Sequence, residues 1–496
     1  MESPQIQKIL FGLKVRQFRQ ELGWNFEEMS RQTGISISYL NEIEKGKKFP
    51  KTENRQKIAT ALGLSEAFLI SPELTKQYAP LGDLLRSNFL SELPLDLFGI
   101  EMQQIVEIIA RAPDRVNAFI SALLEIARVY SLQEENFYFA ALRAYQELRS
   151  NYFEEIEIEA AAFVAKHHIP DNGGVPYVLL LGLLEKEFGY KVRQKGLAEF
   201  PELRSIRSVF VPKKKELLLN DRLTERQLAF QLAKELGFNV LKLKERPFAS
   251  SFTKSNSFEE VLNNYKAAYF AVAILINSQA FSRDLSEFFS HKEWNGDILL
   301  KLMKKYQASP EVLFQRFNIL TKDFGLDKVF FLRFIHDLEK DEFEIDKELH
   351  LNRRHYPHAS GIKEHYCRRW LSPAMLRELQ EAQQQNADDL HLLTGVQRAS
   401  FLNTDEEYLC IAIAKPALPT AHRNIGITLG VLLDEHAKKR IGFWNDPAIP
   451  KATVNITCER CSITDCKERA APPTVNHRKE ERKKIQEALD RLTNRK

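Results

Sequence analysis

The chain has 496 residues, of which 44% are hydrophobic and 28% charged, values that belong to a globular protein. No apolar run approaches a membrane span, the N-terminus lacks a signal-peptide core, and five cysteines are too few for a disulfide scaffold. The expectation is a cytoplasmic protein with no membrane partner. Its net charge is only +4, so any nucleic-acid contact should be local: residues 475–496 hold eight Lys/Arg against four Asp/Glu, and residues 1–72 hold eleven against eight.

The length predicts several domains. Residues 6–72 read as five short helices, with Gly34 and Gly46 placed as C-caps and Ser36 as the N-cap of the third helix. Residues 73–150 read as an amphipathic helical connector suited to dimerisation. Residues 151–345 mix helices with a strand pair, SVFVPKKKELLLN, around a charged turn, and a further strand, DKVFFLRFIHD. Residues 346–475 carry most of the cysteines and one clear strand, EYLCIAIAKP. Residues 476–496 form a basic tail, helical or disordered. The fold class expected is mainly α with α+β parts: a helix-turn-helix bundle, a helical connector, a degenerate zincin-like α+β domain and a cysteine-containing C-terminal α+β domain.

The segment FGLKVRQFRQELGWNFEEMSRQTGISISYLNEIEKGKKFP and the helix after it make a helix-turn-helix pattern. It resembles the Xre/Cro family of DNA-binding domains, although a bundle used only for protein contacts would share the pattern. By this resemblance the recognition helix starts at Ser36, and Ile37, Ser38, Asn41 and Glu42 face the major groove. Ile37 suits a thymine methyl; Ser38 and Asn41 suit base edges. Lys45, Lys47 and Lys48 would meet phosphates. Phe26 stands where this family often has a polar phosphate-binding residue. The partner implied is double-stranded operator DNA, read by a homodimer.

FQLAKELGF (230–238) looks like a zinc-protease helix without its ligands. In H-E-x-x-H the i, i+4 spacing puts two imidazoles on one face and the Glu activates the metal-bound water. Here Lys234 and Phe238 take the His positions and only Glu235 remains. The surroundings resemble the ImmA/IrrE metallopeptidase family, whose third, acidic ligand falls on Lys266. No enzyme is therefore expected, but a retained cleft fit for a small ligand.

CERCSITDC places Cys458, Cys461 and Cys466 in C-x2-C-x4-C spacing, with Cys367 of HYCRRW as the candidate fourth ligand and Cys410 as buried packing. Zinc, an iron–sulfur cluster and free thiols all fit this pattern. CERCSITDCKERAAPP, with SFEEVLNNYKAAYFA, VFFLRF and CRRW in the same order, resembles the short-chain fatty acyl-CoA-responsive regulators. That resemblance implies an acyl-CoA effector, a [4Fe-4S] cluster with zinc as the alternative, and transcriptional control. It places Tyr269 and Arg333 at the acyl-CoA pocket, Arg333 for the CoA phosphates. The competing readings are a core aromatic at Tyr269 and a strand ion pair at Arg333, for instance with Asp337. His350, His355, His358 and His365 lack a metal spacing and read as a loop. Two rival functions are an iron–sulfur redox switch and an active peptidase, the second opposed by Lys234 and Phe238.

Overall fold

The computed structural model describes residues 4–71, 134–171, 173–250, 257–351, 364–385, 392–417 and 422–493. The expected connector over 73–133 and the loop residues His355 and His358 lie outside them. The chain divides into two compact units, 1–137 and 138–496.

The first unit contains the five expected helices: α1 (Pro4–Glu21), α2 (Phe26–Thr33), α3 (Ile37–Glu44), α4 (Thr52–Leu62) and α5 (Glu66–Ile70). Local chemistry sets their ends. Asn25, Ser36 and Ser65 side chains cap α2, α3 and α5 by accepting from backbone N–H groups three residues on. Gly34 closes α2 in the left-handed conformation, at φ 68°. Phe11, Val15, Met29, Leu40, Ile43 and Ile58 form the core. Phe26 stacks under the Arg19 guanidinium at 4.3 Å, and Arg19 makes a buried bidentate pair with Glu44. Phe26 therefore holds α1 against α2 and α3.

The second unit is reached through α6 (Glu134–Leu148) and continues with α7 (Glu154–Lys166) and α8 (Tyr177–Phe188). Strands β1 (Lys191–Arg193), β2 (Ser208–Val211) and β3 (Glu216–Leu219) make a small sheet in the order β1-β3-β2. β2 and β3 are the expected antiparallel pair. Next come α9 (Glu225–Val240), opened by a Thr224–Gln227 capping box, and α10 (Phe258–Leu275). The two pack closely because residue 237 is glycine; a Cβ there would lie 2.9 Å from the Ala267 carbonyl oxygen. Four short helices follow: α11 (Ser278–Ser290), α12 (Asp297–Lys305), α13 (Pro310–Arg316) and α14 (Ile319–Asp323).

The rest is built on a six-stranded sheet in the order β5-β4-β8-β7-β6-β9. Its strands are β4 (Val329–Asp337), β5 (Glu342–His350), β6 (Leu393–Phe401), β7 (Glu407–Pro416), β8 (Arg423–Leu432) and β9 (Lys451–Val454). All neighbours are antiparallel except β6 with β9. Helix α15 (Leu371–Gln385) covers one face, where Leu376 and Leu379 meet Phe330, Phe334 and Ala412. Because strand residues alternate, Arg333 on β4 and Lys415 on β7 point to the other face, and α13 packs there. A short helix, α16 (Glu435–Arg440), lies between β8 and β9. The basic tail is helical: α17 (Thr474–Thr493) exposes nearly all its residues.

Candidate functional site

On α3 the residues named for DNA reading lie on one accessible surface. Ser36, Ile37, Ser38, Lys45, Lys47 and Lys48 are exposed, and Asn41 and Glu42 are half-buried at the same helix's edge. Ile37 is 45% exposed on this surface. Leu40 and Ile43 turn inward.

On α9 the carboxylate at the Glu position of the peptidase-like pattern is tied to a cation. Glu235 is buried and accepts two hydrogen bonds from Arg246, at 2.8 and 2.6 Å. The Arg246 guanidinium lies 3.9 Å from the Phe238 ring centre and 4.3 Å from that of Phe210. Tyr190 stacks on Phe210 and donates to Glu235 at 3.3 Å. The cation beside Glu235 is thus organic, and both carboxylate oxygens are engaged.

Lys234, at the first former ligand position, is 8% exposed and makes no hydrogen bond or ion pair with any described residue. Burial first, then the Arg246, Lys347 and Arg207 charges, bring its ammonium down to about 7 against the opposing pull of Glu235. Lys347 faces Arg333 across β4 and β5. The Arg333 charge, with burial second, lowers Lys347 to about 8. Arg333 is paired with Asp346, its Nε donating at 2.8 Å, and not with Asp337, which pairs with Arg423. Lys415 on β7 reaches Glu311 on α13 at 3.1 Å. Burial would raise Glu311, but Lys415, Arg207 and Arg333 overcome it and hold the carboxyl at about 2. Arg207, Arg333 and Lys347 thus act on one another and on Glu311 and Asp346, Lys415 reaches the same Glu311, and Lys234 feels Lys347 and Arg207. Lys347 is exposed on β5, whereas Lys234 is nearly buried on α9. Excess positive charge of this kind is stabilised by a bound anion.

The sequence reading found Arg333 but not Arg207, Lys347 or Lys415, and it read Lys234 only as a lost ligand. Tyr269 belongs to a different network. It donates to Glu157 at 2.9 Å and accepts from the Phe153 N–H at 3.2 Å, while Glu157 makes a bidentate pair with the fully buried Arg316. Burial, then the Glu157 charge, pushes the phenol's pKa up. Phe153 and Tyr265 pack edge-on against its ring.

Cys367, Cys458, Cys461 and Cys466 line one small cavity; the first three are buried. Cys410 is buried within β7, and burial pushes its thiol up to about 12. Two segments meet at the cavity. Cys367 N–H donates to the Ile456 carbonyl at 3.1 Å and Cys458 N–H to that of His365 at 2.8 Å. The Arg469 guanidinium gathers the loop by donating to the carbonyls of Cys458, Cys461, Ile463 and Ala471. The Ala470 N–H donates to Cys458 Sγ at 3.3 Å. Burial raises the Cys367 thiol, and backbone N–H groups of Asn455 and Arg369 oppose that shift. Among the described residues no three His, Cys, Asp or Glu side chains stand close enough to hold a metal ion. Four thiols with N–H donors to sulfur nonetheless fit a thiolate-bound metal centre in donor type and number. His365 pairs with Glu459 at 2.8 Å and takes no place at the cavity.

Comparison with known proteins matches two domain families. Residues 12–73 match the helix-turn-helix domain family, and residues 185–318 match the IrrE N-terminal-like domain family. YazB of Bacillus subtilis, an uncharacterized HTH-type transcriptional regulator, is 36% identical over 64 residues, 93% of its length and 13% of this chain. The similarly described y4dJ of Sinorhizobium fredii is 33% identical over 63 residues, 82% of its length and 13% of this chain. A solved Mycobacterium tuberculosis transcriptional regulator aligns over 68% of this chain and 93% of its own, at 18% identity and a TM-score of 0.47. No helix among the described residues is long and apolar enough to cross a membrane.

Proposed function

The chain belongs to the HTH-type transcriptional regulators, and we propose that it is a cytoplasmic homodimer that couples binding of a short-chain acyl-CoA to binding of its operator. Ser36, Ile37, Ser38, Asn41 and Glu42 would read base edges, with Lys45, Lys47 and Lys48 on phosphates. Two copies would address two half-sites one helical turn apart.

The observation that carries the effector assignment is the cation excess of Arg207, Lys234, Arg333, Lys347 and Lys415 beside a peptidase-like helix that has lost its metal ligands. Acyl-CoA is a polyanion at its nucleotide end and apolar at its acyl end. Arg333 would exchange Asp346 for phosphate oxygens, a geometry guanidinium suits. Tyr269, held with Glu157 and Arg316 in a network of its own, is not needed for this cation cluster. With Glu235 committed to Arg246, we read the domain as a binding module and not a peptidase.

Cys367, Cys458, Cys461 and Cys466 would hold a [4Fe-4S] cluster, or zinc in its place, and a cluster would supply sensitivity to oxidation. The Ala470 N–H to Cys458 Sγ bond suits a sulfur ligand there, which favours the redox-switch reading.

Calorimetric titration of anaerobically purified protein with CoA, acetyl-, propionyl- and longer acyl-CoAs tests the proposal, with iron, sulfide and zinc assayed on the same sample. Saturable binding that depends on acyl length and weakens at least tenfold in Lys347→Glu supports it. A folded, metal-loaded protein that binds none of them refutes the effector and leaves the redox switch.

A further inference from the structure

We propose that Arg369 and Arg469 are the counter-charges of the cysteine cavity, two guanidinium groups that balance a doubly negative tetrathiolate metal centre. The inference rests on the metal reading of Cys367, Cys458, Cys461 and Cys466 above. It adds two residues that ligate nothing themselves but set how tightly the centre is held and at what potential it works.

The charge on the cavity wall is the first argument. Beside the four cysteines the wall carries three arginines, Arg368, Arg369 and Arg469, and one acid, Glu468. The acid is already taken, since Arg377 donates to it at 2.7 Å. Arg368 has Asp341 at 3.6 Å. The half-buried Arg369 side chain makes no hydrogen bond or ion pair with any described residue. Arg469, also half-buried, spends its guanidinium on neutral carbonyls and meets no carboxylate among the described residues. Two cations on one small cavity are therefore left without a counter-ion from the protein.

The second argument is the charge of the occupant. Four thiolates bring four negative charges, and a zinc ion or a [4Fe-4S] core in its usual dicationic state returns two. Either occupant leaves the centre at 2−, which answers the two uncompensated arginines in sign and in number. Four neutral thiols would leave both arginines unanswered. The third argument is reach. The Arg469 guanidinium donates to the carbonyls of Cys458 at 2.8 Å and Cys461 at 3.3 Å, and its backbone N–H to that of Cys466 at 3.3 Å. One residue thus touches the backbone of all three loop cysteines, and Arg469 is a positioning residue as well as a counter-charge. Arg369, two residues after Cys367, brings the other charge to the segment that carries the fourth sulfur.

The test uses the whole protein, purified and reconstituted anaerobically, with iron, sulfide and zinc assayed on every sample. Arg369→Gln should load as much metal as wild type but hold it about tenfold less tightly in competition with a chelator. In an iron–sulfur form its midpoint potential should also fall, because the reduced centre is the more negative one and loses more from the missing cation. Arg369→Lys should restore both readings. Arg469→Lys keeps the charge and loses the four-carbonyl grip, so it should load less metal while the molecules that load keep the wild-type potential. Arg369→Met serves if the Gln variant fails to fold. Wild-type tightness and potential in Arg369→Gln, or an Arg369→Lys no better than Gln, overturns the inference and leaves the metal reading intact. A folded wild-type protein that takes up neither zinc nor iron overturns both.

Discussion

Glu235 and Arg246 bury opposite charges at 2.6 Å within an aromatic box of Tyr190, Phe210 and Phe238. A buried pair of this kind resists the loss of one member more than the loss of both, because the survivor keeps its desolvation penalty without its partner. Arg246→Ala is expected to destabilise the second unit by about 3–5 kcal/mol, and the double change Glu235→Gln with Arg246→Met by far less. Thermal melts of the two variants beside wild type read the difference directly; equal losses would show that the pair contributes packing alone. The missing metal ligands at 234 and 238 were legible in the sequence, since the i, i+4 rule fixes where they would stand. Arg246 was not. It follows the helix by a loop, and no local pattern says which carboxylate a loop arginine will reach.

At the scale of the element, helix α3 depends on a neighbour with no side chain. A Cβ at Gly12 on α1 would fall 2.2 Å from the Ile43 carbonyl oxygen, so the two helices touch only because residue 12 is glycine. Gly12→Ala is expected to displace α3 and to weaken binding to every DNA sequence alike. Asn41→Ala leaves the helix in place and should cost about 1–3 kcal/mol on the correct operator only. Fluorescence-anisotropy titrations on operator and random duplexes separate the two, and a Gly12→Ala protein with unchanged affinity would refute the packing argument. The helices α2 and α3 were legible from signals at their ends: Ser36 in front of α3, Gly34 behind α2, and Gly46, at φ 68°, just past Lys45, the C-cap of α3. Of the large sheet only β4 and β7 were. RNIGITLGVL in β8 is buried on both faces, so it shows no alternation, and EFEIDKELH in β5 is too charged to read as a strand. The cysteine cavity was legible from spacing, because three of its four thiols come from one short loop.

Across the whole molecule, the acyl-CoA reading would tie effector binding to pH through Lys234 and Lys347. In the unliganded protein Lys234 and Lys347 titrate at about 7 and 8, below an ordinary lysine. Between those values and about 10.5 the unfolded chain binds more protons than the folded one, so the stability of the unliganded protein rises with pH through that window. A bound polyanion favours the ammonium forms and lifts both values. Binding at pH 8 is therefore expected to take up about one proton, and the uptake should fade below pH 6, where both amines are already charged. Calorimetric titrations with propionyl-CoA in buffers of different ionisation enthalpy measure this, the slope of observed heat against buffer enthalpy being the proton count. Lys234→Gln should remove part of the uptake and Lys347→Gln another part, the two adding because they are separate amines facing one anion. A slope of zero at pH 8 would place the phosphates elsewhere, since no other pair of amines among the described residues is held so far below its ordinary range.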